Sequence, residues 1–220
     1  MKVAAAWSGG KDSCFACYKA IQEGYDVAQL MIMMCNPSES NFHMISAELL
    51  DAQSLSIGIP IVKKVTTASA YEKNFTETLT KMKGKGIDGI VTGDVYDVAL
   101  HEAGWLDRIC KSVGLEPVRP LWHRDTLNIM NEFIDAGFKA TVVRTKNEVL
   151  GVEWLGREVN KQFLAELPAN VDPCGENGEF HTVVTNGPNF KNRIEILESK
   201  TTTLNGYGRL EIKRFNAKPK

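Results

Sequence analysis

No apolar run in the chain approaches the roughly 18 residues that a membrane-spanning helix needs. The longest, Val27 to Cys35, is strand-sized and is interrupted by Gln29. A signal-peptide pattern is missing too, because Met1-Lys2-Val3 leads straight into an apolar strand with no cleavage site. Cysteine is scarce, odd in number and dispersed, at Cys14, Cys17, Cys35, Cys110 and Cys174. That excludes a disulfide scaffold and predicts a reducing, cytoplasmic setting. Neither sign of charge dominates: 26 Lys and Arg face 27 Asp and Glu, for a formal net charge of −1. A chain so balanced has no global pull toward nucleic acid or an anionic membrane, although a local basic groove is still allowed.

What is there is ordinary globular composition, 43% hydrophobic and 24% charged over 220 residues. That length suits one or two domains with a core of their own. The first half alternates strands and helices. Strands are expected at Lys2–Trp7, Asp26–Met34, Ile61–Val65 and Ile87–Thr92. Helices are expected at Asp12–Gly24, Met44–Ile57 and Tyr71–Lys83, and within Val98–Val113. This βαβα rhythm predicts an α/β fold with a parallel sheet covered by helices on both faces. The rhythm breaks at Arg119-Pro120-Leu121-Trp122, so domains are expected at 1–119 and 120–220, the second smaller. There, Asp125–Ala136 reads as a helix capped by Asp125, Phe138–Arg144 as a strand and Val159–Leu167 as a short helix. A Gly/Pro/Asn-rich loop, Pro168–Gly178, precedes β segments at Phe180–Thr185, Arg193–Ser199 and Gly208–Phe215.

Two stretches carry chemistry. Ser8-Gly9-Gly10-Lys11-Asp12-Ser13 follows the first strand and opens the first helix. Glycines there let the backbone approach an anion, and helix-start N–H groups point at it. Lys11 adds a point charge, Ser8 and Ser13 add hydroxyls, and Asp12 caps the helix or helps hold magnesium. The spacing fits neither the Walker loop nor the dinucleotide fingerprint. Asp94 lies just past the fourth strand, where doubly wound sheets bind ligands. The other stretch is Asp172-Pro173-Cys174-Gly175-Glu176-Asn177-Gly178-Glu179-Phe180-His181-Thr182. Two glutamates and an imidazole on a glycine-interrupted loop suit proton transfer or cation binding; a solvated hairpin loop is the plainer alternative.

The hexapeptide resembles the PP-loop of the N-type ATP pyrophosphatases. With Pro120-Leu121-Trp122 and Gly175-Glu176-Asn177-Gly178-Glu179-Phe180 following in order, the chain resembles the diphthine–ammonia ligase family over nearly its whole length. The resemblance implies a Rossmann-like, HUP-type ATP domain followed by a smaller α/β domain. It implies binding of ATP with Mg2+ at Ser8, Gly9, Gly10, Lys11, Asp12, Ser13 and Asp94, adenylation of a carboxylate and displacement of AMP by ammonia. Lys11, Glu176, Glu179 and His181 are the catalytic candidates, and no protein metal site is expected. The acceptor is either diphthine on the translation elongation factor or a small molecule. Ammonia is expected free or from another chain, since the loop begins at residue 8 with no glutamine-hydrolysing domain before it. A homodimer is one option.

The sequence departs from the family pattern at Asn177 and His181, which replace a glycine and a glutamate. It departs again in Gly93-Asp94-Val95 followed by His101 and Trp105. A sister branch is therefore expected, with amidation in cobalamin salvage as an alternative. A tRNA-thiolating enzyme and a non-catalytic nucleotide sensor are the rivals from other classes. Cys14 and Cys17, on the apolar stripe of a helix, read as packing rather than as a cluster site. His123 reads as a loop residue and Trp154 as an anchor.

Overall fold

The computed structural model describes residues 1–40, 43–97 and 102–220. In chain order the first half holds β1 (Lys2–Ala6), α1 (Lys11–Gln22), β2 (Asp26–Met34), α2 (Ala47–Ile57), β3 (Ile61–Val65), α3 (Tyr71–Lys83), β4 (Gly89–Val91), α4 (Trp105–Val113) and β5 (Glu116–Val118). The second half holds α5 (Thr126–Asp135), β6 (Lys139–Lys146), α6 (Lys161–Glu166), β7 (Phe180–Asn186), β8 (Asn192–Leu204) and β9 (Tyr207–Pro219). Two compact units result. One comprises Met1–Ser8, Asp12–Asn41 and Ile59–His123, the other Gly9–Lys11, Phe42–Gly58 and Arg124–Lys220.

The first unit is built on a parallel sheet of order β3-β2-β1-β4-β5. The chain steps one way from β1 to β2 and β3, then back past β1 to β4 and β5. Right-handed crossovers therefore place α1 on one face and α3 and α4 on the other. The pleat divides the strand residues accordingly. Ala4, Met31, Met33 and Ile90 pack with Phe75, Leu79 and Met82 of α3 and with Leu106, Ile109 and Cys110 of α4. The alternate residues Val3, Ala5, Leu30 and Ile32 are buried on the opposite side, as are Cys14, Cys17 and Ala20 of α1. Burial on both faces is why these strands read as continuous apolar runs. β5 was not expected. It carries Pro117 opposite Ile90 of β4, and a proline is tolerated because β5 is an edge strand.

The second unit holds an antiparallel sheet of order β7-β6-β9-β8. Its helices start where the sequence signals. Asp125 accepts from Asn128 N at 2.8 Å, and Asn160 caps α6 by accepting from Phe163 N at 2.9 Å. Gly58 ends α2 with φ +82. Phe133 stacks on Phe138, and Phe163 meets Phe180 edge-on. β8 and β9 run well beyond the expected Arg193–Ser199 and Gly208–Phe215. They meet at Asn205-Gly206, whose φ values of 51 and 78 make a left-handed hairpin turn. Among the described residues no helix is long and apolar enough to cross a membrane.

Candidate active site

β1 ends at Ala6, and the chain turns through Ser8 to Gly10 before α1 begins at Lys11. In the first unit the loop's two serines meet. Ser8 N–H donates to Ser13 Oγ at 3.2 Å, and the hydroxyl oxygens lie 3.0 Å apart. The turn after β4 presses on the same helix start. A Cβ on Gly93 would lie 2.6 Å from Asp12 C and 2.7 Å from Ser13 N, so only glycine fits there. Asp94 follows, with Tyr71 in its field. Burial pushes the Tyr71 hydroxyl up to about 12, and the Asp94 carboxylate adds to the shift.

In the second unit Gly9, Gly10 and Lys11 are held from several sides. Gly9 adopts φ +79. Its carbonyl accepts from Gln53 Nε2 at 2.9 Å and from Val184 N at 2.9 Å. Gln53, fully buried, also donates to Val184 O at 2.7 Å. Because the peptide is planar and trans, fixing the Gly9 carbonyl turns the Gly10 N–H the opposite way. A Cβ on Gly10 would lie 2.4 Å from His43 Cε1. Lys11 N–H donates to Thr182 Oγ1 at 3.1 Å. The Lys11 ammonium is buried, donates to Cys174 O and lies 5.2 Å above the Phe180 ring.

The loop that supplies Cys174 is tied by two carboxylates. Asp172 Oδ1 accepts from Cys174 N at 2.8 Å and Glu176 N at 3.2 Å, while Oδ2 accepts from Thr126 Oγ1 at 2.8 Å. Glu179, only 3% exposed, accepts from Asp172 N at 3.0 Å and from Asn177 N and Nδ2, both at 2.9 Å. Burial pushes the Glu179 carboxyl up. The bonds from the Asn177 amide and the backbone outweigh it and hold the group below its ordinary value. Glu176 is exposed at the loop tip.

His181 lies next along β7, its ring 4.8 Å from that of His43. Burial, with His43, Arg144 and Lys11 nearby, pushes its pKa well below the ordinary histidine value, so it is neutral at pH 7. His43 Nδ1 is 3.0 Å from Thr182 O, a distance that assigns the proton to Nδ1.

The second unit thus brings Lys11, Glu179 and His181 together around Cys174 and Thr182, with Glu176 on the same loop. Ser8, Asp12, Ser13 and Asp94 belong to the first unit. Sequence reasoning missed Gln53 and His43, and gave no role to Asp172 and Thr182 at the two ends of the stretch it singled out. Of these, Asp172 alone carried a local signal, an aspartate two residues before the N–H it accepts from. His101 lies outside the described residues. Trp105 packs 5.1 Å from the Phe75 ring and donates through Nε1 to Glu72 at 2.9 Å. Cys14 and Cys17 are free and buried; burial raises Cys17 to about 12, and burial with Cys17 beside it holds the Cys14 thiol well above its ordinary value. Such thiols are poor metal ligands. Among the described residues no three His, Cys, Asp and Glu side chains gather to hold a metal. The hydroxyls of Ser8 and Ser13 with the Asp12 carboxylate fit an ion held mainly by phosphate oxygens.

The family model described as the diphthamide synthase N-terminal domain matches residues 1–117, and that of the diphthamide synthase C-terminal domain matches 125–217. A diphthine–ammonia ligase from Mus musculus is 26% identical over 229 residues, covering 91% of this chain and 84% of its own. The diphthine–ammonia ligase of Homo sapiens is 25% identical over 231 residues, with the same two coverages of 91% and 84%. Among solved structures, a predicted subunit of tRNA methyltransferase from Methanocaldococcus jannaschii superposes with a TM-score of 0.48 at 15% identity, over 65% of this chain and 80% of that one.

Proposed function

The chain belongs to the diphthamide synthase family, and from that premise we propose that it is an ATP-dependent ligase that adenylates a carboxylate and converts it to an amide with ammonia. AMP and pyrophosphate are the other products. One observation carries the reading: Gly9-Gly10-Lys11 is bonded into the strand and loop that bear His181 and Glu179. A nucleotide sensor needs no such connection.

In this reading Ser8–Ser13 and Asp94 hold ATP. The N–H groups at the start of α1 and the Lys11 charge stabilise the pyrophosphate as it leaves. Asp12 would be the protein carboxylate that holds a magnesium ion, which when bound would supply neutralisation of phosphate charge. Glu176 attracts ammonium, Glu179 keeps the loop in shape, and the neutral His181 imidazole takes the proton that ammonium must lose before it can attack. Diphthine is the acceptor that the names of the relatives favour, and the family resemblance implies that it sits on the elongation factor.

The test is to incubate the protein with ATP, ammonia and elongation factor carrying diphthine. AMP and pyrophosphate formed only with acceptor present are expected. ADP and phosphate, or no acceptor-dependent turnover, would overturn the assignment.

A further inference from the structure

β7 is an edge strand of the second unit's sheet, so its outward backbone groups need partners from elsewhere. The alternate residues Thr182 and Val184 face that edge. Val184 N–H donates to the Gly9 carbonyl, and Val184 O accepts from Gln53. His43 supplies the matching bond one step along, with Nδ1 3.0 Å from Thr182 O. The same imidazole lies against the glycine loop. A Cβ on Gly10 would come within 2.4 Å of His43 Cε1, 2.9 Å of its Nδ1 and 3.1 Å of Thr182 O. A third contact reaches the candidate base: the His43 and His181 rings lie 4.8 Å apart, inclined at 51°.

One partly buried side chain therefore meets the backbone of the glycine loop, the strand edge that holds the loop, and an imidazole on that strand. Thr182 ties these contacts together, because its hydroxyl also accepts from Lys11 N–H at 3.1 Å. All of these residues belong to the second unit. Their arrangement joins two halves of a reaction that must run in order. Pyrophosphate leaves from the loop first, and ammonium then loses its proton beside His181.

We propose that His43 is a positioning residue, which fixes the spacing between the glycine loop and His181 and holds the His181 imidazole in orientation. Its Nδ1–H, by donating to Thr182 O, keeps the strand edge against Gly10, while its ring is the wall on which His181 rests. The contact also has an electrostatic side. A proton on one imidazole of such a pair raises the cost of a proton on the other. Burial first, and then the neighbouring His43, Arg144 and Lys11, keep His181 neutral and ready to accept a proton. The place of His43 in catalysis rests on the ligase reading above; its contacts stand without it.

The test compares His43→Asn with His43→Ala. Asn offers an amide donor where Nδ1 stands but no ring, and Ala removes both contacts. The Asn variant should keep the KM for ATP near its wild-type value and lower kcat for amide formation by about tenfold or more, whereas the Ala variant should also raise the KM. NMR follows the imidazoles separately. In the wild-type protein, inorganic pyrophosphate should shift the His43 ring signal together with that of His181. In both variants His181 should titrate at a higher pH than in wild type. Three results would each overturn the proposal: a KM raised as far by Asn as by Ala, an unshifted His181 titration in the variants, or His43 and His181 signals that pyrophosphate leaves unmoved. The pyrophosphate arm uses unaltered protein, so it decides even if a variant fails to fold. It needs no turnover, so failure of the ligase reading would show separately, as absence of AMP.

Discussion

At the scale of single residues the phosphate loop depends on how the Gly9 carbonyl is held. Gln53→Met keeps the volume but removes both donated bonds and leaves Val184 O buried without that partner. The expected cost is about 1 to 3 kcal/mol of stability. An increase of tenfold or more in KM for ATP is also expected, since the Gly9–Gly10 peptide loses its orientation. Calorimetric melting and steady-state kinetics check the two effects. Lower stability with unchanged KM would make Gln53 merely structural. Glu179→Gln replaces one of the two accepting oxygens with an NH2 that faces at least one of the three donors, so amide formation should fall more than acceptor-dependent pyrophosphate exchange. Equal falls would place the loop in adenylation instead. The pH dependence follows from His181. Its folded pKa is lowered, so burying it neutral contributes stability that is full above about 6.5 and is lost as pH falls below that value. His181→Asn should flatten this acid limb in a series of melting curves. The glycine hexapeptide was legible because its chemistry is contiguous. Gln53 and His43 were not, because their partners Val184 and Thr182 lie more than a hundred residues away in the chain, and periodicity says nothing about such contacts.

At the scale of elements, β2, β3 and α3 appear at the expected residues, because apolar runs and a 3.6-residue stripe are set by burial itself. The misses have local causes. Pro117 disguised β5, and the Lys- and Thr-rich stretch from Lys200 to Thr203 hid the outer half of β8, where little is buried to impose alternation. The turn after β4 is the element on which the helix start most depends. Gly93→Ala would drive a methyl into the backbone of Asp12 and Ser13, so ATP affinity should drop at least tenfold, measured by calorimetry. An unchanged affinity would separate this turn from the phosphate loop. The α1 stripe gives the opposite expectation. Replacing Cys14 and Cys17 with alanine should cost about 1 to 3 kcal/mol from lost packing and leave turnover in place. Loss of activity in a folded double variant, or iron in the purified protein, would favour thiolation chemistry.

At the scale of the whole molecule, one chain supplies a parallel sheet with a glycine loop at its first strand and an antiparallel sheet that carries a carboxylate-tied loop and His181. Both matched family domains are present. The composition, with a net charge of −1, carries no sign of a nucleic-acid partner. Adenylation requires that the acceptor's carboxylate attack the α-phosphate of ATP. Elongation factor whose diphthine carboxylate carries oxygen-18 tests it directly, with ATP, ammonia and the protein supplied. Mass spectrometry should find one labelled oxygen in AMP and the other in the amide. Label in inorganic phosphate, or no label in any nucleotide product while amide forms, would contradict adenylation.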